Sequence, residues 1–220
     1  MGKVKVNFLR LVLAVAVFSP VVVFGQRWFQ YASPADYFRI HTPGDFEIEE
    51  VEYFSEYGAV FPARVYSFGN GSNYYSVTVV DYTDSKAIHT ARTNRTEADY
   101  LSLYWEIDIR ASVAYAAANL RNRGGQVTYD AYHYIDRVEG HQLQITNTDQ
   151  SRSYAAIYLH ESRLYIVEAT VAPGLPPPGM FQQSLEFIDE AGQRVRYQNF
   201  SDVAKVNKAP IRGMERRDNE

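Results

Sequence analysis

The sequence predicts an α+β fold, in which a single antiparallel sheet of about six or seven strands has helices packed on it. Short β-patterned segments come first, one long segment with helical periodicity follows, and further β-patterned segments come after it at regular spacing. Runs of strands separated by a helix, rather than strict alternation of strands and helices, are typical of α+β domains. The connections between the later segments are short and polar, which favours antiparallel neighbours.

The early β-patterned segments lie between residues 37 and 82. The segment "YFRIHTP" alternates and ends at the turn signal Pro43–Gly44. Asn70–Gly71 lies between two further segments and is the strongest short hairpin signal, because both central residues of a type I′ turn have positive φ. The return strand "YYSVTVVDY" has no strongly polar face, which indicates a sheet that is covered on both sides.

The longest helical pattern lies between Thr96 and Arg123. Asn94 and Glu97 have the spacing of a capping box before it, and Gly124–Gly125 ends it. Its apolar residues recur at spacings of three and four, as in an amphipathic helix. They are Leu101, Trp105, Ile109, Val113, Ala116 and Leu120.

After the glycines, the sequence predicts an antiparallel meander of four strands. The strands are "QVTYDAYHYI", "HQLQITNT", "SYAAIYLH" and "RLYIVEATV". The segment "APGLPPPG" interrupts the pattern, and Pro178 is suited to the first turn of a second helix, "PGMFQQSLEFI". Phe181, Leu185 and Ile188 are its predicted buried residues.

The N-terminus resembles an export signal. A basic start precedes an apolar run over residues 11–24, and small Gly25 follows it. We therefore expect a signal peptide over residues 1–25, a single domain over 26–200 and a flexible charged tail over 201–220, with a periplasmic or secreted location. An uncleaved membrane anchor is the alternative, although the run is shorter than the ~20 residues of a spanning helix.

Composition excludes several classes of function. Residues 1–25 hold three basic residues and no acid, so their removal changes the formal net charge from −4 to −7. An acidic chain without clustered Lys and Arg is a poor ligand for nucleic acid or for an anionic membrane surface. The chain has no cysteine, which excludes thiol catalysis and thiolate metal sites and suits an exported bacterial protein.

No catalytic motif stands out, and the sequence predicts no cofactor. The hydrolase elbow, the zinc-protease motif, the phosphate-binding loop and the dinucleotide fingerprint are missing. The leading hypothesis is therefore an exported, non-catalytic binding or accessory domain, whose unknown partner is a protein, a peptide or a small ligand.

Tyrosine is the residue type that favours a binding surface. The chain has 18 tyrosines, many of them on predicted strands. Cross-strand packing is the simplest interpretation, and an amphipathic groove between sheet and helix is the alternative. The residues predicted to line such a groove are Tyr132, Tyr134, Tyr154 and Tyr158.

Two histidines support an alternative function as a hydrolase or metal-dependent enzyme. His133 and His141 flank the predicted turn over residues 136–140, and antiparallel pairing could bring them together. With Asp130 or Glu139 they would make a simple metal site. A slip of one residue in the pairing would place one histidine on the other face of the sheet.

Acidic residues form two groups. Glu47, Glu49, Glu50 and Glu52 are typical of a solvated edge strand, where charge prevents unwanted pairing. Asp81 and Asp84 follow a strand, where aspartate favours Asx turns. A catalytic carboxylate pair at that place is the alternative.

The order of elements resembles that of the PsbP-like α/β/α sandwich. The shared features are the "YFRIHTPGDF" strand and turn, a hairpin, a helix, a meander and a C-terminal helix, between Tyr37 and Ile188. The chain is also similar to uncharacterised exported proteins of Gram-negative bacteria. The resemblance implies an accessory or binding role, and it carries over no functional residue because no site motif is matched.

Overall fold

The computed structural model describes residues 28–93 and 103–206. The strands within these ranges are β1 (Phe29–Ser33), β2 (Phe38–Thr42), β3 (Glu47–Phe54), β4 (Val60–Asn70), β5 (Asn73–Asp81), β6 (Gln126–Ile135), β7 (Val138–Thr146), β8 (Arg152–His160), β9 (Arg163–Val171) and β10 (Glu186–Phe187). The helices are α1 (Ser85–Ala91), α2 (Tyr104–Arg121), α3 (Gly179–Gln182) and α4 (Phe200–Val206).

The described strands form two antiparallel sheets, so the predicted single sheet with helices packed on it is wrong. The larger sheet has seven strands in the order β3-β4-β5-β9-β8-β7-β6, and the smaller has three in the order β1-β2-β10. The strand "YFRIHTP" was expected to join its successors, but β2 pairs with β1 and β10 instead. Its apolar residues Phe38 and Ile40 pack on the larger sheet rather than extend it.

The C-terminal segment also differs from the prediction. The expected helix over residues 178–188 is only one turn, α3, and β10 replaces its second half. The three residues predicted to be buried there are buried, because apolar burial does not depend on which element carries them. They are Phe181, Leu185 and Ile188.

The early hairpin is confirmed, with a different turn. Asn70 pairs with Asn73, so the two central residues are Gly71 and Ser72. Gly71 alone of the two has positive φ, which is the requirement of a type II′ turn and not of the expected type I′ turn. The four-strand meander is confirmed as β6 to β9, whose pairing is continuous from one strand to the next.

The seven-stranded sheet is covered on both faces, as the apolar pattern of β5 predicted. Its small-sheet face, which carries Tyr66, Val77, Tyr158 and Tyr165, packs on β2, β10 and α3. Its helix face, which carries Ala63, Val80, Ile157 and Leu164, packs on α2. The domain therefore has two hydrophobic cores, one on each face of the seven-stranded sheet.

Several predictions concern residues outside the described ranges. The export signal lies within residues 1–27, the capping box of Asn94 and Glu97 precedes α2, and most of the C-terminal tail lies within 207–220. The described helix α2 ends at Arg121, just before the predicted glycine stop. None of the described helices is both long enough and apolar enough to span a membrane.

Candidate functional site

The four tyrosines predicted to line a groove lie on opposite faces of the seven-stranded sheet. Tyr132 is 73% exposed and Tyr134 is 49% exposed on β6, whereas Tyr154 and Tyr158 are buried on β8. Register explains the split, because His141 opposite Tyr132 and Gly140 opposite Tyr158 are consecutive residues of β7 and point to opposite faces. The structure therefore does not bring the four side chains together.

The two histidines are separated in the same way. His133 pairs with Gly140, and His141 pairs with Tyr132, so the two imidazoles project from opposite faces. His133 Nδ1 lies 2.7 Å from the Tyr158 hydroxyl, and burial lowers the pKa of His133. Within residues 28–93 and 103–206, no group of three or more His, Cys, Asp or Glu residues is arranged to hold a metal ion.

His141 belongs to a polar cluster with Arg121 and Asp130. Arg121, near the end of α2, donates two hydrogen bonds to the Asp130 carboxylate, at 2.6 and 2.9 Å. His141 Nε2 contacts the same carboxylate. The hydrogen bonds from Arg121, reinforced by the one from His141, hold the pKa of Asp130 at about 2. Asp130 therefore stays ionised and joins α2 to β6 and β7, while Glu139 lies outside the cluster, opposite Tyr134.

A second histidine–aspartate pair was not predicted from the sequence. His89 on α1 and Asp108 on α2 are buried together, and His89 Nε2 lies 2.8 Å from Asp108 Oδ2. Ser85, one helical turn before His89, completes the residue types of a nucleophilic triad. Its hydroxyl donates to the carbonyl of Trp105 instead, and the second histidine nitrogen faces Arg92 at 3.3 Å. The nucleophile and base of such a triad are therefore not in hydrogen-bond contact.

An open cleft of about 590 Å³ lies over the small-sheet face of β3, β4 and β5. Its volume is in the range of small-molecule sites. One end is formed by the chain between β1 and β2, which contributes Asp36. The other charged lining residues are Arg64, Glu50, Glu52 and Asp81, and the apolar ones include Val60, Pro62 and Val79.

Asp36 is held rigidly at the end of this cleft. Its carboxylate accepts hydrogen bonds from Arg64 Nη1 at 2.8 Å and from the Tyr66 hydroxyl at 2.5 Å. Ser33 lies 2.9 Å from the Tyr66 oxygen, and the Tyr165 hydroxyl donates to the Asp36 carbonyl. Burial, together with the bond to Asp36, raises the pKa of Tyr66 to about 12, so its hydroxyl remains a donor at neutral pH.

The remaining carboxylates give the cleft a negative charge. Glu50 is 3.7 Å from Arg64 Nε and its side chain is 85% exposed. Glu52 makes no ion pair with another described residue. Asp81 accepts a hydrogen bond from the backbone of Thr83 at 2.8 Å, which is the Asx turn expected from the sequence. Four carboxylates and one guanidinium leave a formal charge of −3, which suits a cationic ligand.

Some acids of this cleft, but not the cleft itself, were predictable from the sequence. Glu50 and Glu52 were predicted to lie on an edge strand, and β3 is at the edge of the sheet in the described part of the chain. Asp36 and Arg64 were not predicted as site residues. These two residues are 28 positions apart and meet only because the small sheet folds onto the larger one, and no local pattern in the sequence signals that contact.

Comparisons with known proteins identify no family. No protein-family model matches the chain, and no curated protein matches it by sequence. The chain is similar in structure to cyanobacterial PsbP (CyanoP) from Synechocystis sp. PCC 6803, with 11% sequence identity and a TM-score of 0.36. The match covers 69% of this chain and 84% of that one. This is a weak PsbP-like structural resemblance, and no residue role is transferred from it.

Proposed function

We propose that this protein is an exported, non-catalytic binding domain that takes a cationic ligand in the cleft bordered by Asp36, Glu50, Glu52 and Asp81. The observation that carries the proposal is the concave, acidic lining of a cleft of about 590 Å³. A concave site with a few convergent polar groups is the usual form of a ligand site. The negative charge of the cleft favours ligands with amine or guanidine groups over ligands with carboxylates or phosphates.

The polar groups of the cleft divide into a fixed end and a free side. Asp36 and Arg64 satisfy each other at 2.8 Å, and Tyr66 holds the second carboxylate oxygen. This end of the cleft therefore limits the shape of a ligand but offers it no unpaired charge. Glu52 and Asp81 border the open side, and both can accept hydrogen bonds from an ammonium group with little rearrangement.

The absence of an assembled reaction centre among the described residues favours binding over catalysis. His133 and His141 face opposite ways, and Ser85 and His89 are not hydrogen bonded to each other. The cleft itself contains carboxylates, a paired arginine and apolar groups, without a histidine. These groups are sufficient to recognise a charge.

Titration calorimetry with spermidine and with arginine amide at low ionic strength tests the proposal, with succinate as the anionic comparison. Both cations should bind and succinate should not. Glu52→Gln and Asp81→Asn should each weaken cation binding several-fold, because each removes one negative charge while keeping a similar shape. Raising the salt concentration to about 0.5 M should weaken binding further, because the site is open to solvent.

Glu47→Gln and Glu49→Gln are matched controls. They remove the same charge from β3, the strand that carries Glu52, but on the face that points away from the cleft. Equal weakening by the control and cleft variants, or failure of both cations to bind at millimolar concentration, contradicts a site in the cleft. Export is tested separately, since the N-terminal residue of the mature protein should be Gln26.

A further inference from the structure

We propose that strand β6 pairs with β6 of a second copy of this chain, so that two seven-stranded sheets join into one. The proposal concerns the opposite end of the sheet from the cationic cleft and does not depend on it. In the described part of the chain, β3 and β6 are the two edges of the large sheet. Each presents a row of backbone N–H and C=O groups that no other described strand satisfies.

The two edges differ in the side chains that control pairing. Strand β3 carries four glutamates, at 47, 49, 50 and 52. Charged residues are a usual means by which an edge strand avoids pairing. Strand β6 carries a single acid, Asp130, whose charge Arg121 of the same chain neutralises. Only β6 of these two edges is therefore free of charge repulsion against its own copy.

The exposed side chains of β6 are those that stabilise paired strands. Tyr129, Tyr132 and Tyr134 are all exposed, and the Tyr134 ring also packs on Phe200 of α4 at 5.6 Å. Aromatic and β-branched residues facing each other across antiparallel strands contribute about 0.2–1 kcal/mol per pair. A bulge after Val127 interrupts the regular ladder, so the paired segment begins at Tyr129.

Charge distribution favours a second copy as the occupant. The glutamates of β3 lie about 29 Å from β6, across six strand spacings. A two-fold pair through β6 places these acidic edges at the far ends of the joined sheet, where their repulsion is weakest. A strongly charged foreign strand would find no complementary charge on β6, since its one carboxylate is already bound by Arg121.

The lack of native cysteine makes a direct test possible. Single cysteines are placed in turn at positions 128–134 of the full chain, which is then mildly oxidised. Residues opposite each other in antiparallel strands have Cα atoms about 4.5–5.5 Å apart, within disulfide range. Each step from the two-fold axis separates the two copies of a residue by about a further 6.8 Å, twice the rise per residue.

The expected result is a linked dimer whose yield peaks at one position of β6 and falls on both sides. Ile48→Cys and Glu49→Cys on β3 are the controls, and they should give little dimer. Light scattering should give twice the mass of one chain for the unmodified protein. Tyr132→Lys should weaken self-association at least tenfold, whereas Ile48→Lys, the same change on the other exposed edge, should not.

A monomeric mass for the unmodified chain, a flat cross-linking profile, or equal yields at β3 and β6 would each overturn the proposal. Cross-links from β6 to other proteins alone, without linked dimers, would overturn it as well. Circular dichroism of both lysine variants checks that they fold. Tyr132 is 73% exposed and Ile48 is 55% exposed, so neither substitution disturbs the core.

Discussion

The hydroxyl of Tyr158 on β8 lies 2.7 Å from Nδ1 of His133 on β6, with strand β7 between them. This contact is possible because Gly140 of β7 pairs with both residues and has no side chain. The Tyr158 ring lies over Gly140, and its hydroxyl reaches across β7 to β6. Tyr158, which was predicted to line a tyrosine groove, and His133, which was predicted to bind a metal, therefore contact each other in a partly buried position.

Gly140→Ala should destabilise the domain by about 1–3 kcal/mol, the usual cost of overpacking. A Cβ at this position would lie 2.2 Å from the Tyr158 ring and 2.3 Å from the backbone carbonyl of Ile157. Urea unfolding measures the change in the free energy of unfolding. Gly69→Ala is the control, since no described atom lies within 4 Å of the point where its Cβ would be. Equal effects of the two substitutions would contradict the packing described for Tyr158.

Stability should fall as pH is lowered from about 6.5 to 4, because of His160. Its ring is fully buried and stacks on Phe187 at 4.3 Å, and Nδ1 has no hydrogen-bond partner among the described residues. Burial, aided by Arg163, lowers the pKa of His160 to about 4. The unfolded chain, with a pKa near 6.5, binds the proton more readily. The folded state therefore loses up to about 3 kcal/mol across this range.

Urea unfolding at several pH values checks the contribution of His160. His160→Gln removes the titrating group, so its stability should depend less on pH between 6.5 and 4. If His160→Gln fails to fold, NMR titration of the unmodified protein decides, and a His160 ring that is already protonated at pH 5.5 would refute the prediction.

The Arg121–Asp130 pair should couple by about 0.5–1 kcal/mol in a double-mutant cycle with Arg121→Gln and Asp130→Asn. Both side chains are 34% exposed, so solvent screening keeps the energy near that of surface pairs. The pKa of Asp130 is lowered in the folded protein to about 2. The coupling should therefore be complete above about pH 4 and disappear as pH falls through 2.

The pair Arg110–Glu106 provides the comparison for that cycle. It is a helical i,i+4 pair at 3.5 Å, with the arginine side chain 76% exposed. Its coupling should not exceed about 0.5 kcal/mol. A coupling at Arg121–Asp130 no larger than this would show that the two-hydrogen-bond geometry adds nothing to stability.

Tyr66→Phe should cost about 1.5–3 kcal/mol, the range for a hydrogen bond to a charged group. The substitution removes the hydroxyl that donates to the buried Asp36 carboxylate at 2.5 Å. Tyr75→Phe is the matched control on the neighbouring strand, because Tyr75 is also buried and its hydroxyl has no hydrogen bond to a described residue. Urea unfolding compares the two, and a smaller loss at Tyr66 than at Tyr75 would contradict the role given to Asp36.

The local elements were largely predictable. Strands β6 to β9 follow from alternation and short polar turns, and the turns close at Asp136–Arg137 and Glu161–Ser162, where both residues of each turn have positive φ. These features depend on neighbours in the chain. Helices α1 and α4 and strands β1 and β10 were missed, because short segments with mixed patterns give little periodic signal. Residues 201–206 were expected to belong to a flexible tail, but they are in α4, where Val203 is buried.

The candidate sites were much less predictable. His133 and His141 were correctly predicted to lie on a hairpin. Side chains alternate between the two faces of a strand, so the pairing register decides whether the two histidines meet, and in the observed register they do not. The contact between Asp36 and Arg64 depends on how one sheet packs on another. Neither relation is encoded in the spacing of residues along the chain.

The sequence by itself determined the acidic composition, the lack of cysteine, the meander and the early hairpin. Composition is counted directly, and hairpins arise from turn geometry and alternation between adjacent residues. Only the tertiary structure decided that the strands divide into two sheets, that two of the four tyrosines are buried, and that carboxylates from β3, β5 and the chain before β2 border one cleft. The physical reason is that these outcomes depend on packing between residues far apart in the chain, where burial of apolar surface selects the partner and local conformational preference does not.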